Sequence, residues 1–227
     1  MSKQEFYKEN PQFYIAVDCV IFAFENEELQ VLLQQRNLEP FRGAKTLLGG
    51  FLQDGESLEE AAHRVLRQHT GMQDIYMEQV GTFSALDRDP GARVISTAYY
   101  ALIDKNRYDS SLLQRYNGQW VNVNALPTIY FDHTKMIEKA REELRFKIQY
   151  TPICFNLLPP KFTLYQMQRL YESVLGLEID KRNFRRRVSE MNYVEKTGEI
   201  DKVGSRRGAS LYRFNIEKYR QVQEPLN

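Results

Sequence analysis

The sequence predicts a mixed α/β chain in two unequal parts: an α/β/α sandwich over residues 1–150, and a smaller basic module of two helices and a hairpin over residues 151–227. Three observations carry this. In the first part, runs of β-branched and aromatic residues are interleaved with amphipathic helical stretches, as in a sheet covered by helices. Pro152, Pro159 and Pro160 mark Tyr150–Lys161 as the connection between the parts. Charge divides at the same place. Residues 1–150 hold 17 Lys+Arg against 21 Asp+Glu, a balance of −4, and residues 151–227 hold 14 against 9, a balance of +5. Such asymmetry directs the smaller part toward a polyanion.

In the first part, Tyr14–Phe24 and Leu29–Arg36 read as a hairpin of strands, Arg93–Ile103 as a third long strand and Trp120–Val123 as a shorter one. Ser57 with Glu60 three residues later forms a capping box, so a helix starts there and runs to Thr70, with Leu58, Ala61, Ala62, Val65 and Leu66 on its buried face. A second helix spans about His133–Lys147. A length of 227 residues with 42% hydrophobic content suits two modest domains with the main core in the larger one. No apolar run is long enough to span a membrane and Met1–Gln12 is polar, so a cytoplasmic protein without a membrane partner is expected. Cys19 and Cys154, far apart, imply neither a disulfide framework nor a metal cluster. No cofactor is expected.

In the second part, Thr163 and Gln166 form another capping box. Leu164, Met167, Leu170, Tyr171 and Val174 then line one face of a helix that ends near Gly176. Asp180 caps a short helix, DKRNFRRRVSEM, anchored by Phe184, Val188 and Met191. Five of the seven residues from Lys181 to Arg187 are basic, and Lys181, Arg182, Arg185 and Arg186 project away from the apolar stripe. Tyr193–Val203 and Ala209–Asn215 read as strands around the turn Gly204–Gly208. A charge run alone is most simply a solvated face. In this order, however, the elements make a winged helix-turn-helix, which places its basic helix in the major groove and its wing on phosphates or in the minor groove. The DNA-contact candidates are Lys181, Arg182, Asn183, Arg185 and Arg186 on the helix, and Ser205, Arg206 and Arg207 on the wing.

The segment Gly49–Gly71, GGFLQDGESLEEAAHRVLRQHTG, resembles a Nudix hydrolase box, G-x5-E-x7-R-E-U-x-E-E-x-G-U with U a bulky aliphatic. Gly50, Glu56, Arg64, Leu66, Gly71 and Met72 match it, but the three glutamates of its core fall on Val65, Gln68 and His69. Positions 65, 68 and 69 are helical i, i+3 and i+4 neighbours, where carboxylates would converge on one Mg²⁺. Valine, amide and imidazole are poor ligands for that hard ion. The retained Glu56 and Glu60 read as an early-helix acid and a cap partner, and Arg64 as structural. No catalytic or metal-binding residue is expected.

With the degenerate box, Asp87–Leu102, Phe131–Arg145, Phe155–Gly176, the basic helix and Gly204–Asn215 resemble the Nudix-related transcriptional regulators of the NrtR/AraR type over nearly the whole chain. The arabinose-responsive branch looks nearest. The resemblance implies a Nudix-like effector-binding and dimerisation domain followed by the DNA-binding module. It also implies a homodimer, probing a palindromic double-stranded operator, that acts as a repressor of sugar utilisation. The effector candidates are Arg36, Phe41, Arg42, Lys45, Glu56, Asp87, Arg88, Asp89 and Tyr99, with Asp132 and Phe83 beside them; each is equally explained as a loop cap or surface group. Asp87 and Asp89 would repel phosphates, which favours L-arabinose or a related pentose over an ADP-ribose-type nucleotide. Two other classes stay open: an active Nudix pyrophosphohydrolase with displaced metal ligands, and a relative whose basic tail meets RNA or protein.

Overall fold

The computed structural model describes residues 8–107, 110–202 and 208–223. The first part contains strands β1 (Tyr14–Glu25), β2 (Glu28–Gln35), β3 (Lys45–Thr46), β4 (Leu48–Phe51), β5 (Tyr76–Phe83), β6 (Val94–Ile103) and β7 (Gly118–Asn122), with helices α1 (Leu58–Thr70), α2 (Ser110–Arg115) and α3 (His133–Lys147). Strand β1 is the axis of the sheet. It runs parallel to β6 along one edge, while its other edge pairs antiparallel with β4 and then with β2. Strands β3 and β7 extend the sheet from β2, and β5 closes it beyond β6.

This central position explains the composition of β1. A strand covered on both faces reads as a continuous apolar run rather than an alternating one, and residues 16–23 are all buried. Alternation then sorts its side chains. Val17, Cys19, Ile21 and Ala23 pack with Ala61, Ala62, Val65 and Leu66 of α1. Val20 and Phe22 join Met136, Ile137, Ala140 and Leu144 of α3. The capping box of α1 forms as its sequence requires, with the Glu60 amide donating to Ser57 Oγ and the Ser57 amide to Glu60 Oε2, and Gly71 closes the helix in the left-handed conformation at φ 70°.

The second part comprises β8 (Phe162–Thr163), α4 (Leu164–Leu175), α5 (Lys181–Glu190), β9 (Val194–Asp201), β10 (Ala209–Phe214) and α6 (Ile216–Gln223). Its strands form a three-stranded sheet in the order β8-β10-β9. Thr163 caps α4 reciprocally with Gln166, and Asp180 caps α5 by accepting from the Asn183 amide.

The structure departs from the sequence reading in the short elements β3, β4, β8, α2 and α6, which that reading does not contain, and in two larger features. Tyr150–Lys161 does join the two parts, but it contains a 3-10 helix, Pro152–Leu157, that buries Ile153, Cys154 and Leu157 in the same hydrophobic cluster as α3 and α4. The apolar residues between the prolines make it a packed strut. Strand β5 was not anticipated because its polar Glu78 and Gln79 and its bulge at Gly81 dilute the strand pattern. No helix among the described residues is long and apolar enough to cross a membrane.

Candidate nucleic-acid interface and effector cleft

Helix α5 presents two chemically distinct sides. Phe184 and Val188 are buried against the core, whereas Lys181, Arg182, Asn183, Arg185, Arg186 and Arg187 are all exposed. The buried pair anchors the helix, and its basic side remains open to a phosphate-bearing partner. Ser205, Arg206 and Arg207 of the wing lie outside the described residues.

In the first part, the candidate effector residues fall into separate groups. Arg36, Phe41, Arg42 and Lys45 share the β2–β3 connection. Arg36 donates from Nε to the Pro40 carbonyl at 2.8 Å, and its guanidinium lies 5.2 Å from the centre of the Phe131 ring. Phe41 packs against Tyr130 at 4.8 Å between ring centroids and against Phe131 at 5.6 Å. Lys45 Nζ donates to Gln119 Oε1 at 2.8 Å, and Arg42 is exposed.

Arg88 leaves its loop and enters the protein. Its Nε and Nη2 donate to the two Asp132 oxygens at 3.1 and 2.9 Å, and Nη2 lies 3.5 Å from Asp18 Oδ2, which also accepts from Ser96 Oγ at 2.6 Å. His133 completes the cluster. Its Nδ1 accepts the Leu47 amide at 3.0 Å, which places the proton of the neutral ring on Nε2, 3.4 Å from Asp18 Oδ1. Burial holds the His133 pKa below its ordinary value, with Asp18 acting in the opposite sense. Gly49 is required beside this cluster, because a Cβ there would collide with the Asp18 carboxylate and lie 2.9 Å from the Val17 carbonyl. Asp132 stands at the N-cap of α3 without capping it, since its carboxylate is committed to Arg88.

The remaining candidates lie elsewhere. Asp89 accepts the Gly91 amide at 2.8 Å, an ordinary turn role, and Asp87 is exposed. Tyr99 is only 3% exposed and packs with Cys19 and Ile21 in the α1 cluster, so the structure does not bring it to Phe41; its place opposite Cys19 in the parallel register decides which face it takes. Glu56 belongs to the α1 side as well. It accepts from Arg64 Nε and Nη2 at 2.9 and 2.6 Å and from the Gln53 amide at 2.7 Å.

Sequence reasoning missed Asp18, Ser96, Tyr130 and His133. Asp18 was detectable, since an acid inside an eight-residue buried run must have a partner. Ser96 and His133 become visible only when β6 and α3 are brought beside it, and Tyr130 only when it meets Phe41.

At the box, Val65 is buried, Gln68 is exposed, and His69 is buried with its ring 4.4 Å from that of Tyr116. Burial depresses the His69 pKa to about 4. Among the described residues, no group of three or more His, Cys, Asp or Glu side chains is placed to hold a metal ion.

The same two-part organisation emerges from comparison with known proteins. Residues 13–140 match the NUDIX domain model, and residues 154–214 match the model described as the NrtR DNA-binding winged helix domain. An ADPR responsive transcriptional repressor, NtrR, of Acinetobacter baylyi is 36% identical over 213 residues, covering 92% of this chain and 85% of that protein. The chain belongs to the NrtR-type family of Nudix-related transcriptional regulators. A crystal structure of Shewanella oneidensis NrtR complexed with a 27mer DNA superposes with a TM-score of 0.80 at 32% identity, covering 88% of this chain and 93% of that one. The Nudix-like domain alone also resembles an ADP-ribose pyrophosphatase of Methanocaldococcus jannaschii, 32% identical over 124 residues, which are 55% of this chain and 70% of that protein.

Two stability predictions follow from the buried ionisable groups. Removing Arg88 leaves the buried Asp18 and the partly buried Asp132 without their partner cation, so Arg88→Met should lower unfolding stability in urea by about 3–5 kcal/mol. For His69, the unfolded chain protonates near its ordinary 6.5 and the folded chain only near 4, so the unfolded state holds more protons between those values and stability falls as pH drops through that window. The loss should reach about 3 kcal/mol. Urea titrations at pH 7 and 4.5 should show a smaller drop for His69→Phe than for the parent.

Proposed function

We propose that this regulator is a homodimeric, DNA-binding transcriptional repressor whose Nudix-like domain responds to an ADP-ribose-type nucleotide. The observation that carries the DNA reading is α5, a helix anchored by Phe184 and Val188 with five exposed basic side chains, in a module that matches the DNA-binding domain of the family. We place the division between effector and DNA-binding domains at residues 150 and 151, and the protein's action in the cytoplasm.

The effector reading replaces the pentose expected from the sequence. That expectation rested on Asp87 and Asp89 repelling phosphates, but Asp89 is occupied by its own turn. The Acinetobacter baylyi relative is named for its response to ADPR, which supports the nucleotide. The β2–β3 connection has suitable chemistry. Phe41 and Tyr130, 38% and 41% exposed, offer aromatic surface to a purine, while Arg36, Arg42 and Lys45 lie on the same segment for phosphates. Arg88 is the least available of the proposed cations, being engaged by Asp132 and Asp18.

We further propose that the domain does not hydrolyse its ligand. Glu56 is held by Arg64, Glu60 by the cap of α1, and positions 65, 68 and 69 carry no carboxylate. Release of AMP from ADP-ribose in millimolar Mg²⁺ or Mn²⁺ should therefore remain at background. A metal-dependent turnover abolished by Glu56→Gln would establish an enzyme instead.

Binding to the chain's own upstream DNA tests the regulator. A two-fold dimer should select a palindrome with half-sites about one helical turn apart. Arg186→Ala should cost about 1–3 kcal/mol and relax specificity at one base pair per half-site. ADP-ribose, but not L-arabinose, should bind in calorimetry and lower operator affinity in a mobility-shift titration. Operator binding that is indifferent to Arg186→Ala, or a response to arabinose alone, would refute the corresponding half of this reading.

A further inference from the structure

The tip of the β1–β2 hairpin is built unusually. Its two turn residues, Asn26 and Glu27, both have positive φ, 52° and 65°. The second such position normally takes glycine, because a side chain there is disfavoured. Glu27 occupies it, and its carboxylate crosses to the winged module. It accepts from Tyr165 Oη at 2.7 Å and from Arg169 Nε at 2.8 Å, both on α4. Arg169 Nη1 continues to Glu172 Oε2 at 2.6 Å, and Glu172 Oε1 accepts the Ile179 amide at 3.0 Å. Gln168 Nε2 donates to the Ile179 carbonyl at 2.9 Å and to Glu172 Oε1 at 3.0 Å. Ile179 immediately precedes Asp180, the cap of α5. One unbroken polar chain therefore leads from a hairpin of the Nudix-like domain to the start of the basic helix.

Two further contacts grip the same helix. The Leu29 amide, just beyond the turn, donates to Ser173 Oγ at 2.7 Å, and Arg145 Nε near the end of α3 donates to the Val174 carbonyl at 3.0 Å. Strand β1 and helix α3 also carry Asp18 and His133, the partners in the buried cluster beside the proposed effector segment. The hairpin tip, Lys181 and Arg185 line a common cleft of about 1370 Å³.

We propose that Glu27 is a positioning residue for operator recognition, fixing the orientation of α5 through Arg169, Glu172 and Ile179. This rests on the DNA-binding reading above. Glu27 touches no DNA in this scheme; it sets the angle at which the basic helix is presented. Loss of the latch should therefore impair discrimination between sequences more than attraction to phosphates, which depends on the basic side chains themselves.

The test uses the full-length chain with Glu27→Gln, Arg169→Gln and the double variant, each confirmed to melt as a folded protein. Hydrogen exchange at the Ile179 amide, measured without DNA, should accelerate in all three. Fluorescence anisotropy on the upstream operator and on a scrambled duplex should show operator affinity falling about three- to fivefold, the upper range for partly exposed ion pairs, with scrambled-duplex affinity unchanged. The double variant should lose no more than Arg169→Gln alone, because the residues act in one chain. Unchanged exchange at Ile179, or equal losses on both duplexes, overturns the latch while the parent's DNA binding stands. A parent that binds both duplexes alike overturns the DNA reading, and the latch's recognition role with it, even where exchange at Ile179 responds.

Discussion

The positive charge of Arg88 has to be neutralised inside the protein, and the first domain is organised around that requirement. Arg88 is 8% exposed and comes from a loop, yet it meets Asp132 at the start of α3 and approaches Asp18 in the middle of β1. Isolated buried charges are too costly to persist, whereas a hydrogen-bonded set that satisfies its remaining donors and acceptors can. Ser96 from β6 and the Nε2 proton of His133 supply that satisfaction, and Gly49, lacking a Cβ, leaves the space that the Asp18 carboxylate occupies. Strands β1, β4 and β6, one loop and α3 are thereby brought into one register by polar chemistry within an otherwise apolar sheet.

The second module is attached to this frame by contacts of a different kind. Its core is continuous with that of the sheet through Ile153, Cys154 and Leu157 of the strut and Met167, Leu170 and Val174 of α4. Apolar packing supplies adhesion but little angular preference. Directional bonds from Glu27, Leu29 and Arg145 to α4 specify the angle. The proposed effector segment packs on Phe131 just before α3, whereas the contacts to α4 come from the tip of the β1–β2 hairpin and the end of α3, and a change at one reaches the other only if a ligand prefers one arrangement of these contacts.

Much of the fold was legible because it depends on local signals. The capping boxes at Ser57 and Thr163, the Asp180 cap and the apolar stripes of α1, α4 and α5 form as their spacing requires. The basic face of α5 was legible for the same reason, since a helix of known phase assigns each side chain to a side. The candidate effector residues were less so. Arg36, Phe41, Arg42 and Lys45 share one segment, but Tyr99 and Glu56 lie on the α1 side, and Arg88 proved to be buried. These assignments depend on parity within a sheet and on loops that approach only when the chain is folded.

By itself the sequence determined the two-part organisation, the capped helices, the absence of carboxylates at positions 65, 68 and 69 and the concentration of basic residues on one helix, all properties of neighbours within a few turns. Tertiary structure decided which face of the sheet each polar residue joined, that Asp132 serves Arg88 instead of capping α3, and that a glutamate at a hairpin tip reaches Arg169 of α4. The physical reason is range. Helix periodicity and capping act over three or four residues, whereas Arg88 and Asp132 are 44 positions apart and Glu27 and Arg169 are 142 apart, and such pairs exist only once the sheet has fixed where each strand ends.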